Sequence, residues 1–264
     1  MYFFLSLLYN TKLRGVKDMK NSFNIKQLKR MKKALIAGSM VPLLAGTTVN
    51  AEDDILYLDK IGNPTYYEDA IDLLKSLPYH LNDYLNDIQA HAVLVESPYG
   101  ADDMYASYYG SYSPNSITGF VEADYPYTIY IEGGLYPGYY ERYSDCTNGL
   151  TEDEFSKEIV MDSLLHELGH RIDLEHDYYG LSSSFGFREI YYEEVDNFMQ
   201  TTHYNQENLK AYANIDSPIE YFASTFSSFF RHSQDLKEKC PLTYDYFQNL
   251  MKEIDSYYSN QYTK

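Results

Sequence analysis

Apolar and polar positions along this chain follow two different periods, and the period changes near its middle. Over residues 65–77 and again over 81–90, apolar side chains recur every three to four positions, the spacing of helices with one buried face. Pro78 separates the two. Ala92-Val93-Leu94-Val95 is a short unbroken apolar run that predicts a buried strand. The stretch 97–116 is rich in Tyr, Ser, Gly and Pro and reads as a long loop. Segments 118–123 and 127–132 alternate with period two around Asp124-Tyr125-Pro126, which predicts a β-hairpin.

Beyond residue 150 the period becomes helical. Thr151-Glu152-Asp153-Glu154 has the form of a capping box, in which the Thr hydroxyl and the Glu carboxylate each satisfy an orphan backbone donor. The helix it opens is expected to run through His170, with Leu164, Leu168 and Ile172 as its buried stripe. Further helices are predicted over 187–200, 218–231 and 242–258. With strands in its first half and helices in its second, the region 52–264 reads as one α+β domain.

Charge divides the chain differently. Residues 1–51 hold nine Lys/Arg and one acid, Asp18, a net of +8; the remainder holds twelve Lys/Arg and 38 acids, a net of −26. So acidic a body repels phosphate backbones and anionic membrane surfaces, which argues against nucleic-acid binding. The basic end has the layout of a secretory signal peptide. Lys29-Arg30-Met31-Lys32-Lys33 precedes the apolar run 34–45, and Val49-Asn50-Ala51 supplies small residues for cleavage. Gly38, Pro42 and Gly46 break the run too often for a good transmembrane helix. Arg14-Gly15 can be encoded by a purine run resembling a bacterial ribosome-binding site just before Met19. Translation is therefore expected to start at Met19, with 1–18 a spurious extension, 19–51 the signal peptide and 52–264 the secreted domain. Export would permit a disulfide between Cys146 and Cys240, though the sequence does not show that they meet. The chain has 31 Tyr and no Trp, so many Tyr are expected at the surface.

His166-Glu167-Leu168-Gly169-His170 carries the chemistry. Residues 166 and 170 lie one turn apart on one helix face, so both imidazoles can reach one cation at about 2.0–2.1 Å. Glu167 points about a quarter-turn away, where it can address a water on that cation rather than share it. This is the H-E-x-x-H pattern of zinc peptidases, with Glu167 as general base. Two residues compete for third ligand. His176 has the metzincin spacing, but the position that should hold Gly to turn the chain is Asp173. Glu220 opens the predicted helix 218–231. Ser224 and Ser227 share its face, and Ile219, Phe222, Phe226 and Phe230 take the apolar side. Ser217-Pro218-Ile219-Glu220 is also a capping box, so the Glu220 carboxylate could merely cap its helix. Glu193 and Glu194 are outlying alternatives.

His166–His170, Glu220-Tyr221-Phe222-Ala223 and the tail Leu236-Lys237-Glu238-Lys239-Cys240-Pro241-Leu242-Thr243-Tyr244 resemble the anthrax lethal factor catalytic-domain family, which includes secreted single-domain Pro-Pro endopeptidases. The resemblance covers most of residues 60–258. It implies a zincin-like fold of the gluzincin type, with Zn2+ on His166, His170 and Glu220. The family also has an oxyanion-stabilising Tyr seven residues before the ligand Glu. Here that position is Ala213, so the role passes to Tyr212, with Tyr204 in reserve. The family's acid four residues after the ligand Glu is replaced by Ser224.

The resulting expectation is a secreted, monomeric zinc endopeptidase without a membrane anchor after processing. Its substrate would be an extended peptide paired with strand 127–132 as the binding edge, and specificity would come from 97–116 and 180–215. The rival readings are an inactive docking module of the same fold and a metzincin using His176. A degenerate copy would be expected to lose His or Glu from the motif, which this chain keeps. The processing scheme predicts a precursor beginning at Met19 and a mature protein beginning at Glu52. Intact-mass analysis of cell-associated and supernatant protein checks both, and a secreted form retaining residues 31–51 would refute the cleavage site.

Overall fold

The computed structural model describes residues 57–96, 101, 105, 118–122, 127–135, 139–142, 149–175, 180–201, 215 and 217–262. The expected extension and signal peptide, most of loop 97–116, Cys146, His176, Tyr204 and Tyr212 lie outside the described residues. Strand β1 is Leu58–Ile61. Two helices follow, α1 (Tyr67–Ser76) and α2 (Tyr79–Asp87), separated at Pro78 as the pattern predicts. Strands β2 (Ala92–Val95), β3 (Gly119–Val121) and β4 (Ile129–Glu132) complete one sheet, of order β1-β2-β4-β3. Then come a short helix α3 (Tyr139–Arg142) and the long α4 (Glu152–Leu174). The remaining helices are α5 (Phe185–Phe198), α6 (Pro218–Arg231), α7 (Ser233–Lys239) and α8 (Pro241–Tyr262). The α+β expectation holds; β1, α3 and α7 are too short or too polar for periodicity to reveal.

The hairpin forms as expected, β3 antiparallel to β4 with Phe120 opposite Tyr130. The binding-edge expectation does not hold. Strand β4 also pairs in parallel with β2, Leu94 opposite Ile131, so 127–132 lies inside the sheet. The reason is burial: Ile129, Ile131 and Glu132 are all buried, as befits a strand covered on both faces. The three-residue β3 is the edge strand next to β4, and β1 is the edge on the far side.

Helix α4 is the central element. Its capping box is complete: Glu154 N donates to Thr151 Oγ1 at 3.3 Å and Thr151 N donates to Glu154 Oε2 at 2.8 Å. Leu164, Leu168 and Ile172 are fully buried, as predicted. So are polar residues of α4, including Asp162, Arg171 and Asp173, which must find partners inside the protein. Arg171 Nη1 donates to Glu175 at 2.9 Å and Nη2 to the carbonyl of Ile88, tying α4 to the end of α2. Asp173 accepts from Ser182 N at 2.7 Å and from Ser182 Oγ at 2.6 Å.

Helices α5, α6 and α8 enclose an aromatic core. Phe187 meets Phe222 edge-on at 5.1 Å, and Phe222 meets Phe247 at 5.2 Å. Tyr221 is buried there too, its hydroxyl 2.7 Å from Thr243 Oγ1. Part of the tyrosine content is therefore core material, while Tyr79 and Tyr192 meet the surface expectation. Ile219, expected on the apolar side of α6, is 45% exposed. Buried Glu194 accepts from Leu242 N and Thr243 N, both at 2.8 Å, and so caps α8. Cys240 is buried with a free thiol, which burial pushes up to about 12, so it forms no bridge in this structure.

Helices α4 and α6 meet at Gly169. A Cβ there would stand 3.0 Å from Ala223 Cα and 3.2 Å from Phe226 Cβ. Gly169→Ala gains about 1 kcal/mol of helix propensity. Overpacking against α6 costs about 1–3 kcal/mol. A net loss of stability is expected in urea unfolding, and a stabilised variant would show that α6 can recede from α4.

Candidate metal centre

The polar residues of α4 at positions 158, 162, 166 and 170 form a stripe, each one helical turn from the next. Helix α6 runs antiparallel across it and answers in reverse order. Arg231 Nε lies 2.8 Å from Asp162 Oδ1, and Arg231 Nη2 also pairs with Glu158. Ser227 Oγ donates to the same Asp162 oxygen at 3.0 Å. Ser224 Oγ lies 3.3 Å from His166 Nδ1. At the end of the stripe Glu220 Oε2 stands 3.4 Å from His166 Nε2 and 3.5 Å from His170 Nε2.

The structure thus brings together three of the expected site residues, with donor atoms all within 4.8 Å of one another. The set fits a zinc ion. Donors bound tetrahedrally at about 2.0–2.1 Å stand about 3.3 Å from each other. The separations from Glu220 Oε2 to the two imidazole nitrogens are close to that value. The capping alternative for Glu220 is half realised: Glu220 N donates to Ser217 Oγ at 3.3 Å, while the carboxylate turns toward the imidazoles. Burial opposes charge on Glu220, but hydrogen bonds from His166 and His170 hold its carboxyl well below the ordinary range. Burial also opposes charge on His170, yet the Glu220 carboxylate raises it to about 9.

Glu167 lies between this cluster and the sheet. It is only 8% exposed, and burial lifts its carboxyl above the ordinary range against the opposing pull of His170 and His166. Edge strand β3 crosses its stem: a Cβ on Gly119 would stand 3.1 Å from Glu167 Cγ. A buried carboxylate of raised proton affinity beside a cation site is equipped to take and return a proton.

The turn that a third ligand at His176 would need is not made at Asp173. Helix α4 continues through Leu174, and Asp173 anchors Ser182 instead. Of the outlying carboxylates, Glu194 caps α8 and Glu193 is exposed on α5. A second group, Glu158, Asp162 and His232, also has ligand-type atoms within 4.8 Å of one another. Arg231 already lies between its carboxylates, so this group is an ion-pair cluster. Sequence reasoning missed Gly119 and the Arg231 clamp. The repeat of Glu158, Asp162, His166 and His170 at intervals of four was the available signal for a polar seam.

Residues 144–250 match the family described as anthrax toxin lethal factor, N- and C-terminal domain. A comparison with curated proteins returned no match. Among solved structures, the chain is similar to the Pro-Pro endopeptidase PPEP-2 from Paenibacillus alvei, with 18% identity and a TM-score of 0.49. That match covers 75% of this chain and 100% of the other. Over residues 144–250, which supply His166, Glu167, His170 and Glu220, this chain is therefore lethal-factor-like.

Proposed function

We propose that the protein is a zinc-dependent endopeptidase of the gluzincin type, secreted and acting as a monomer on extended peptides. One observation carries this reading: the donor atoms of His166, His170 and Glu220 converge beside a buried Glu167. Among the described residues no helix is long and apolar enough to cross a membrane.

Zinc, when bound, lowers the pKa of a water toward neutrality and polarises a carbonyl. The chain's own groups do the rest. His166 and His170 offer Nε2 lone pairs, and Glu220 adds one negative charge. Glu167 accepts the proton of the attacking water, its affinity raised by burial, and delivers it to the departing amine. Tyr212 would steady the negative charge developing on the carbonyl oxygen.

The substrate would lie along β3. Thr118 O accepts from Glu132 N and Thr128 O accepts from Glu122 N, each at 2.9 Å. In an antiparallel ladder the intervening residues, Gly119 and Val121, then direct their backbone groups away from β4. An extended peptide can add to that edge beside Glu167.

Purified protein is expected to hold about one zinc per chain. Glu167→Gln should keep zinc and fold but lose nearly all peptidase activity, and unchanged turnover would remove Glu167 from the mechanism. Glu220→Ala should weaken zinc binding at least about tenfold, whereas His176→Ala should leave stoichiometry intact. If Glu220→Ala keeps zinc and merely loses about 1 kcal/mol of stability, the carboxylate is a cap and the ligand set is wrong.

Proton linkage gives a separate check. In the metal-free protein His170 titrates at about 9, so at neutral pH zinc must displace its proton. Calorimetry in buffers of different ionisation heat should report release of about one proton per zinc at pH 7. The release should shrink as pH rises toward 9 and be smaller in Glu220→Gln. Release independent of pH across that window would contradict the assignment.

A further inference from the structure

The two ring nitrogens of His166 face different partners. Nε2 faces the Glu220 carboxylate at 3.4 Å, and Nδ1 faces Ser224 Oγ at 3.3 Å. For Nε2 to offer its lone pair to a cation, the ring proton must sit on Nδ1, and that N–H needs an acceptor. Ser224 is buried, so its hydroxyl oxygen meets the imidazole inside the helix interface rather than in bulk water. It stands one turn after Glu220 on α6, so one rigid helix presents both the carboxylate and the group that orients the histidine. The close approach of Gly169 to Ala223 leaves room at the next position for a side chain as short as serine.

We propose that Ser224 is a positioning residue that holds His166 with its proton on Nδ1 and so sets the cation affinity of the cluster. This rests on the metal-centre reading above. Ser224 touches neither the cation nor a substrate; it acts through His166. Being neutral, its hydroxyl is a weaker acceptor than a carboxylate. Zinc affinity here is therefore governed by orientation more than by added basicity.

The test uses the mature protein with Ser224→Ala and Ser224→Thr, the second keeping the hydroxyl. Zinc affinity is read by competition with a fluorescent chelator, and melting of the metal-free forms controls for folding. Nitrogen-15 NMR of histidine-labelled, metal-free protein reads the His166 tautomer. Ser224→Ala should bind zinc about tenfold more weakly and lose the Nδ1–H signature at His166. Ser224→Thr should retain the signature and most of the affinity. Wild-type affinity and an unchanged His166 signature in Ser224→Ala would overturn the proposal. So would equal loss in both variants with unchanged melts, since packing rather than the hydroxyl would then be responsible. A wild-type protein that takes up no zinc sinks the metal-centre reading itself, and the metal-free tautomer signature reports on Ser224 separately from that failure.

Discussion

The approach of α4 to α6 at Gly169 and Ala223 sets the geometry on which the site depends. Neither helix has a bulky residue at the crossing, so the backbones come close enough for short side chains to reach across. Ser227 can therefore touch Asp162, and Ser224 can touch His166. Glu220 then arrives within one ligand-to-ligand distance of two imidazoles. A methylene of extra separation would leave those hydroxyls short of their partners, and the three donors would no longer share one point. Interiors packed at crystal-like density transmit such a change directly.

The seam between these helices also manages charge. Two carboxylates of α4 are balanced by Arg231, while its two histidines are balanced by Glu220. Each end of the seam thus carries its own counter-charge, which is how buried ionisable groups are tolerated. Arg231 also fixes the register of α6 on α4: a slip of one turn would move Arg231 off Asp162 and Glu220 off the histidines together. Glu167 stands outside this balance. It lies against Gly119, where burial raises its proton affinity. A group balanced by an ion pair makes a poor proton carrier, whereas a desolvated one with adjacent cations can work near neutrality.

The sheet contributes position more than chemistry. Strand β4 is buried between β2 and β3 and acts as a rigid support, while β3 brings its backbone over Glu167. Glycine at 119 allows both the close approach and a smooth edge. The far end of the helical half is secured by Glu194, whose carboxylate caps α8 and ties the Cys240–Thr243 segment to α5. The motif tail that resembles the lethal factor family in sequence is, on this view, a structural joint.

Local chemistry was legible in the sequence because it depends on neighbours in the chain. The histidine spacing in α4, the Thr151–Glu154 cap, the Leu164, Leu168 and Ile172 stripe and the two alternating strands are all fixed within a turn or a hairpin. Glu220 was legible as a candidate but not as a choice, because a carboxylate at the fourth position of S-P-I-E can serve a cap or a cation equally well. Only the packing of α6 against α4 turned it toward the histidines. The order of strands was likewise hidden: alternation reports which faces are buried, not which neighbour a strand takes, so β4 could be mistaken for an edge. Ser224, Arg231 and Gly119 owe their roles to partners 58, 69 and 48 positions away, at His166, Asp162 and Glu167. Sequence periodicity carries no information over such separations, because the distance between those atoms is set by how the helices and the sheet pack and not by the chain between them.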